Sequence, residues 1–282
     1  MRLIWWRRVG WRHAVGAFAV LFSLFPIVFV LSAALNPVGS LDSTNVLPTG
    51  AGLANFTSLF RGTDFGRWYL NSVLISGLSA FSGVLLSMLA AYAFSRMRFA
   101  GRRVGLLALL LIQMFPQFLA VVAIFLIFSR LGDYYPALGL NSPWGLLLLY
   151  LGTALGVNTW LMKGFLDTVP KEIDESAAID GASHAQVFFR ITLPLVSPIL
   201  AVTGLLGFIG SINEFLLAAT FLTDPEQKTL AVGLYGLIAG QRNANFGMFC
   251  AGSLLAAIPT VILFQFLQRY IVSGLTVGAV KG

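Results

Sequence analysis

Residues 169–194 read VPKEIDESAAIDGASHAQVFFRITLP, a polar interruption in a chain otherwise built from long apolar runs. The stretch predicts two short helices around a glycine turn. Pro170 suits the first helical position, where its missing N–H is no loss, and Glu172, Asp174 and Glu175 put negative charge near the positive end of the helix dipole. Gly181 falls where a left-handed residue closes that helix, and Ser183 with Gln186 has the S-x-x-Q spacing of a capping box opening a second one. Pro194 then limits the second helix. Ser176, Ala177 and Ala178 carry almost no side-chain bulk, so another protein's surface can approach the backbone closely, with acidic groups beside it. That is a docking element; the plainer alternative is an ordinary amphipathic connection.

Composition sets the surroundings of this loop. Of 282 residues, 57% are hydrophobic and only 10% charged, and the mean hydropathy is +0.85. A soluble domain has about a quarter of its residues charged, so this is an integral membrane protein. The net charge of +7 and pI near 9.9 would suit nucleic acid, but the basic residues sit between apolar spans and are better explained by topology. No nucleic-acid partner is expected. The single cysteine, Cys250, excludes an internal disulfide and reads as a small buried apolar residue.

Six spans are expected, at 13–35, 68–94, 104–128, 143–165, 195–222 and 249–271. Residues 1–12 mix arginine with tryptophan as at a membrane–water interface, and the run after them is long enough to span rather than to be a cleaved signal. With the N-terminus in the cytoplasm, 13 of the 18 basic residues fall on inner segments. The positive-inside rule therefore places both termini and the loop at 169–194 in the cytoplasm of a multi-pass membrane protein. The expected division is a cytoplasmic segment at 1–12, a transmembrane domain at 13–272 and a cytoplasmic tail at 273–282. Gly152 and Gly156 give a G-x-x-x-G close-packing signal in the fourth span.

Polar side chains at membrane depth are costly and need a partner or a water-filled path. Asn71, Gln265 and Gln268 lie near span ends and read as interfacial. For Gln113 and Asn158, nearer the middle, helix–helix hydrogen bonding and pathway lining are both open. Glu214, beside Asn213, is the one carboxylate well within a span, about 12 Å from its outer end. It pairs within a subunit interface or offers a hydrogen-bonding group to hydroxyl-rich solutes. Gly204, Gly207 and Gly210 before it leave one flank bare for a bend, a ligand or a neighbouring helix. With two histidines, neither a histidine-based metal site nor a Ser-His-Asp arrangement has its parts, and there is no phosphate-binding G-x-x-x-x-G-K-[ST] loop. The chain is expected to be no enzyme.

The loop resembles the EAA loop of ABC importer permeases, whose pattern is E-A-A, three residues, G, nine residues, then I-x-L-P. Glu175-Ser176-Ala177, Gly181, Ile191 and Leu193-Pro194 match it, with Ser176 for the first alanine. Beyond the loop the chain is similar to the sugar-importer branch of these permeases, most closely the shorter permease subunit of maltose/maltodextrin importers. Carrying residues are Ala54 to Phe60, Asn71-Ser72, the run from Ala91 to Arg96, Asn158 to Leu161, Leu230 to Gly233, and Gly274 to Gly282.

The resemblance implies an all-α fold of the type I ABC importer permease, with six transmembrane helices and a cytoplasmic coupling-helix loop. It implies that Glu175, Ser176, Ala177, Ala178, Asp180 and Gly181 couple to an ATPase subunit dimer. ATP and Mg would be held by that partner, with no cofactor bound by this chain. A second, larger permease would complete a heterodimer, and an extracytoplasmic sugar-binding protein would be met by Gly240, Gln241, Arg242 and Asn243. Ser211, Asn213 and Glu214 fall in the stretch comparable to a sugar-binding helix of the larger subunit, and Gln113 and Asn158 join them as candidate pathway residues among membrane lipids. The expected cargo is maltose, maltodextrin or a related α-glucoside. Alternatives are a permease for another solute class such as a polyamine, a self-contained secondary transporter, and, least favoured, an intramembrane enzyme.

Overall fold

The structure is a computed structural model that describes residues 9–36, 50–239 and 245–279, with side chains described as far as residue 271. Every regular element among these residues is helical. In order they are α1 (Trp11–Leu35), α2 (Ala54–Gly62), α3 (Phe65–Arg96), α4 (Arg102–Met114), α5 (Gln117–Tyr134), α6 (Pro143–Leu166), α7 (Lys171–Ile179) and α8 (His184–Leu195). They are followed by α9 (Ser197–Ile212), α10 (Leu216–Phe221), α11 (Leu230–Ala239) and α12 (Phe246–Ala279). Four helices, α1, α3, α6 and α12, are long and apolar enough to cross a bilayer, and two bent pairs, α4 with α5 and α8 with α9, make six if each is one crossing.

Two expected spans are broken rather than straight. The third turns by 104° between α4 and α5, where Pro116 sits in extended backbone and cannot supply the N–H that would continue the ladder. The fifth turns by 76° between α8 and α9, and Pro194 does not end α8, which runs one residue further, to Leu195. Pro194 and Pro198 flank the turn at Val196: Pro198 sits in the first positions of α9, where proline is tolerated, and Pro194 stands just after the π-helical stretch Val187–Thr192 inside α8. A second interruption at residues 213–215 separates α9 from α10. The short helices α2 and α11 lie in the connections between the expected first and second spans and between the fifth and sixth.

The chain forms two compact units. The first is drawn from Met1–Gly66 and Gly233–Ala257. In it the buried Asn55 of α2 donates to the carbonyls of Ala34 at 2.9 Å and Asn36 at 2.8 Å, satisfying the open C-terminal end of α1. A Cβ at Gly247 would overlap Asn55, so glycine there permits α12 to approach α2. The rest of α1 is bare: none of its apolar window is buried.

The second unit, Arg67–Val232 with Ile258–Gly282, holds two apolar clusters at separate levels of α3. One joins Ile75 to Leu146, Tyr150, Leu217 and Phe221, and the other joins Met88 and Tyr92 to Met162, Leu166, Phe188 and Val196. In a bilayer, where lipid tails are as apolar as leucine, close contact between small residues holds helices together. Gly83 faces Ala154 of α6, and Gly204 and Gly207 face Val84 and Ala80 of α3, so the bare flank of α9 receives a neighbouring helix. Of the G-x-x-x-G pair, Gly156 lies against Gln113, whereas a Cβ added at Gly152 would meet nothing within 4 Å. Asn71 and Trp68 also serve structure: they donate to the carbonyls of Glu226, Lys228 and Pro225, fixing the segment before α11.

Candidate functional site

The docking loop is built as a rigid elbow. Pro170 is the N-cap of α7 and not its first residue, while Glu172 and Asp174 occupy the first turn. At the other end Gly181 has φ of 86°, and two backbone bonds, from Ala182 N–H to Ala177 O at 3.0 Å and from Gly181 N–H to Ala178 O at 3.1 Å, close a Schellman motif. Ser183 and Gln186 form both halves of the capping box that starts α8. No residue between the helices is left without a backbone reason for its conformation.

Polar contacts tie this elbow to the membrane helices. Arg96, the last residue of α3, lies with Nε 2.7 Å from Asp174 Oδ2 and donates from Nη2 to Val169 O at 2.8 Å. The Nε–H does not point along the ionic contact, so the attraction there is Coulombic, and Nη1 has no partner among the described residues. Thr192 of α8 donates to the same aspartate at 3.3 Å. Just after α6, Asp167 accepts from Lys163 at 2.6 Å and from Ser95 at 2.5 Å, joining the end of α6 to α3. Burial works to raise the Asp167 carboxyl, but the hydrogen bonds from Lys163 and Ser95, with the charges of Lys163 and Arg102, outweigh it and hold it below the usual range.

The exposed face of α7 differs from the expected one in one residue. Ala177 is only 8% exposed and turned inward, so it cannot belong to the docking face; helical periodicity sends it to the side opposite Glu175 and Ile179. Glu175, Ser176, Ala178, Asp180 and Gly181 are exposed. So is Ile179, an apolar side chain 86% exposed at the tip between acidic neighbours, which the sequence reading passed over. Its signal was available: an isoleucine preceding a C-cap aspartate and a left-handed glycine has nothing of its own chain to cover it.

The intramembrane candidates divide. A cleft of about 230 Å³ between α3, α6 and α9 is lined by Ser79, Tyr150, Thr153, Asn158, Ser211 and Glu214, among others. Asn158, Ser211 and Glu214 are therefore brought together. Asn213 is exposed outside the cleft, its amide donating to Ile209 O at 2.9 Å, and Gln113 donates to Thr153 O at 3.1 Å, bridging α4 to α6 instead of lining the cleft. Residues Gly240, Gln241, Arg242 and Asn243 lie outside the described residues.

Glu214 is held without a cation. Its Oε2 accepts from Tyr150 Oη at 2.8 Å and from Ala218 N–H at 2.9 Å, and its Oε1 from Leu217 N–H at 2.8 Å. Both peptide groups belong to the open first turn of α10, so the carboxylate satisfies donors that the break at 213–215 exposes. Among the described residues no lysine or arginine reaches it. Tyr150 and Ser79 were missed, although Ser72, Ser76 and Ser79 recur at i, i+4, i+7 and mark a polar face on an apolar helix; all three are buried. The Asn158 amide makes no side-chain hydrogen bond among the described residues, so its donors and acceptor are unused in the cleft. A larger cavity of about 670 Å³ between α3, α9 and the end of α12 is almost wholly apolar and offers a hydroxylated solute little to bind.

Comparison with known proteins agrees with this architecture. Residues 83–277 match the family profile described as binding-protein-dependent transport system inner membrane component. The chain is 41% identical to the galactooligosaccharides transport system permease protein GanQ of Bacillus subtilis over 278 residues, 98% of this chain and 96% of that protein. It is 40% identical over 260 residues to the maltodextrin transport system permease protein MdxG of the same organism, 92% of this chain and 91% of that protein. With the maltose/maltodextrin permease protein MalG of Escherichia coli K12 it shares 43% over 215 residues, 76% of this chain and 72% of the other. Its fold is that of a chain from a bacterial ABC transporter involved in import of the acidic polysaccharide alginate, at TM-score 0.74 and 24% identity, covering 94% of this chain and 97% of that one. With most of its length under one family profile and near-complete alignment to relatives, the chain belongs to the inner-membrane components of binding-protein-dependent transport systems.

Proposed function

We propose that this chain is one permease half of an ATP-driven sugar importer whose cargo is an oligosaccharide of the maltodextrin or galactooligosaccharide kind. Relatives named for such sugars support the cargo class. So does a cleft of hydroxyl, amide and carboxylate groups with no cation in its lining, since a polyol is recognised by convergent donors and acceptors. A second, larger permease completes the path, and an extracytoplasmic sugar-binding protein meets residues 240–243. ATP and Mg belong to a partner ATPase dimer, and this chain performs no chemistry. Both termini and α7 face the cytoplasm, as the distribution of basic residues supports.

The observation that carries the reading is the elbow: a capped helix with an exposed Glu175, Ala178 and Ile179, pinned to α3 through Arg96 and Asp174. A partner that grips α7 pulls on the end of α3 through the ion pair and on α6 through Asp167, Lys163 and Ser95. Both helices carry cleft residues, Ser79 on α3 and Tyr150 and Asn158 on α6. Movement of the elbow thereby reaches the solute. The test is uptake of radiolabelled maltodextrin and galactooligosaccharide by cells lacking the gene, complemented with the wild-type chain or Gly181→Asp. Restored uptake by wild type only, with equal amounts of both proteins in the membrane, is expected; uptake unchanged by deletion, or full uptake by Gly181→Asp, overturns it.

A further inference from the structure

A further cleft, of about 510 Å³, lies where α4 begins, beside the end of α6, and shares no lining residue with the two cavities above. Its walls are Phe99, Gly101, Val104 and Leu106 together with three cations, Arg102, Arg103 and Lys163. Lys163 is already neutralised by Asp167 at 2.6 Å. Neither Arg102 nor Arg103 makes a side-chain hydrogen bond or a close ion pair among the described residues, and no carboxylate lines the cleft. Arg102 acts on Asp167 only through its charge, so two guanidinium groups stand next to apolar walls with their N–H donors unused.

The apolar side continues along α4. Val104, Leu107, Leu111 and Met114, at i, i+3, i+7 and i+10, form one exposed stripe on that helix. Ten residues of helix rise about 15 Å, one half of the roughly 30 Å hydrocarbon thickness of a bilayer. A stripe one leaflet deep, ending at a doubly cationic cleft, matches the two parts of one molecule: an acyl chain and a phosphate-bearing headgroup. Guanidinium binds phosphate oxygens in a bidentate fork, and basic clefts between membrane helices are suited to anionic headgroups.

We propose that the cleft at Arg102, Arg103 and Lys163 binds the headgroup of an anionic phospholipid of the bilayer, its acyl chain lying along the Val104 to Met114 stripe. Native mass spectrometry of the full chain in detergent, titrated with phosphatidylglycerol or phosphatidylcholine of the same acyl composition, tests it. Phosphatidylglycerol should bind more tightly, and Arg102→Gln with Arg103→Gln should weaken it roughly thirtyfold, from about one kcal/mol for each basic group near the membrane surface, while phosphatidylcholine binding stays as in wild type. Arg190→Gln, which removes another exposed cation on α8, should leave the preference intact, and Arg102→Lys with Arg103→Lys should keep most of it. Equal binding of the two lipids by wild type, or undiminished phosphatidylglycerol binding by the double glutamine variant, overturns the proposal. Displacement of phosphatidylglycerol by equimolar inorganic phosphate also overturns it, assigning the cleft to a soluble anion. Should the glutamine variant fail to fold, the wild-type preference must still shrink as salt rises from 0.05 to 0.5 M, about a threefold fall in screening length; a salt-independent preference counts against the site.

Discussion

Arg96 Nε stands 2.7 Å from Asp174 Oδ2 with 7% and 16% of the two side chains exposed, which places an ion pair at the joint between a membrane helix and the helix that leaves the membrane. Taking either charge away strands the other in a largely dry site. Asp174→Asn or Arg96→Gln should each destabilise the joint by about 3 kcal/mol. Replacing both with apolar residues of similar volume should recover most of that stability. A double-mutant cycle on thermal unfolding midpoints measures it, and additive single effects would show that the contact does not act as a pair.

Gly181 holds φ of 86° with no atom within 4 Å of where a Cβ would stand. Strain, and not crowding, therefore sets the cost of substitution. Gly181→Asn should be tolerated, Gly181→Ala should cost about 1 kcal/mol, and Gly181→Val should cost more. Hydrogen exchange at the Ala182 amide, which closes the motif, reads the order; a valine as protected as glycine would contradict it.

Exposure on α7 separates two adjacent alanines. A thiol-reactive reagent should label Ala178→Cys and Ile179→Cys quickly and Ala177→Cys slowly, against the low background of the buried Cys250. Equal labelling of 177 and 178 would mean that α7 rotates about its axis in the membrane.

For Glu214, the geometry predicts an asymmetric response. Glu214→Ala removes the acceptor for Tyr150 and for two peptide groups at once, and buried unmet donors cost about 1–3 kcal/mol each. Tyr150→Phe removes one bond only and should cost about 1 kcal/mol. If the two variants unfold at the same temperature, the carboxylate does not cap α10.

Asp167 gives a pH signature. Its carboxyl is held below the ordinary value, so its contribution to stability is complete above the unfolded-state pKa near 4 and fades as pH falls through the lower folded value. Asp167→Asn should therefore be less stable than wild type by a constant margin from pH 7 to about 5 and lose that margin below about 4. A margin that widened toward acid would reverse the assigned sign.

The docking loop was legible because it is made of local rules. A capping box, a left-handed glycine and acidic residues in a first turn involve residues a few positions apart, and each stands where its spacing put it. Ala177 was misread because a small residue looks alike on either face of a helix until the rest of the chain decides which face is covered. The Arg96 to Asp174 contact was hidden for the opposite reason: it joins residues 78 positions apart, and the sequence marked Asp174 only as a complement to the helix dipole. Six crossings could be counted from apolar length, but the breaks at Pro116 and Val196 depend on whether neighbouring helices straighten or accept a bend. In the same way Gln113 and Asn158 were indistinguishable as polar residues in apolar runs, and only packing sends one to Thr153 and the other to the cleft.

The turn of 76° at the fully enclosed Val196 makes α8 and α9 work as a bell crank. A thrust along α8 is delivered to α9 mostly sideways, so Ser211 at its far end swings across the cleft it shares with Tyr150 and Asn158 more than it slides along it. On the function proposed above, a partner that grips α7 needs no long stroke to change the width of that cleft.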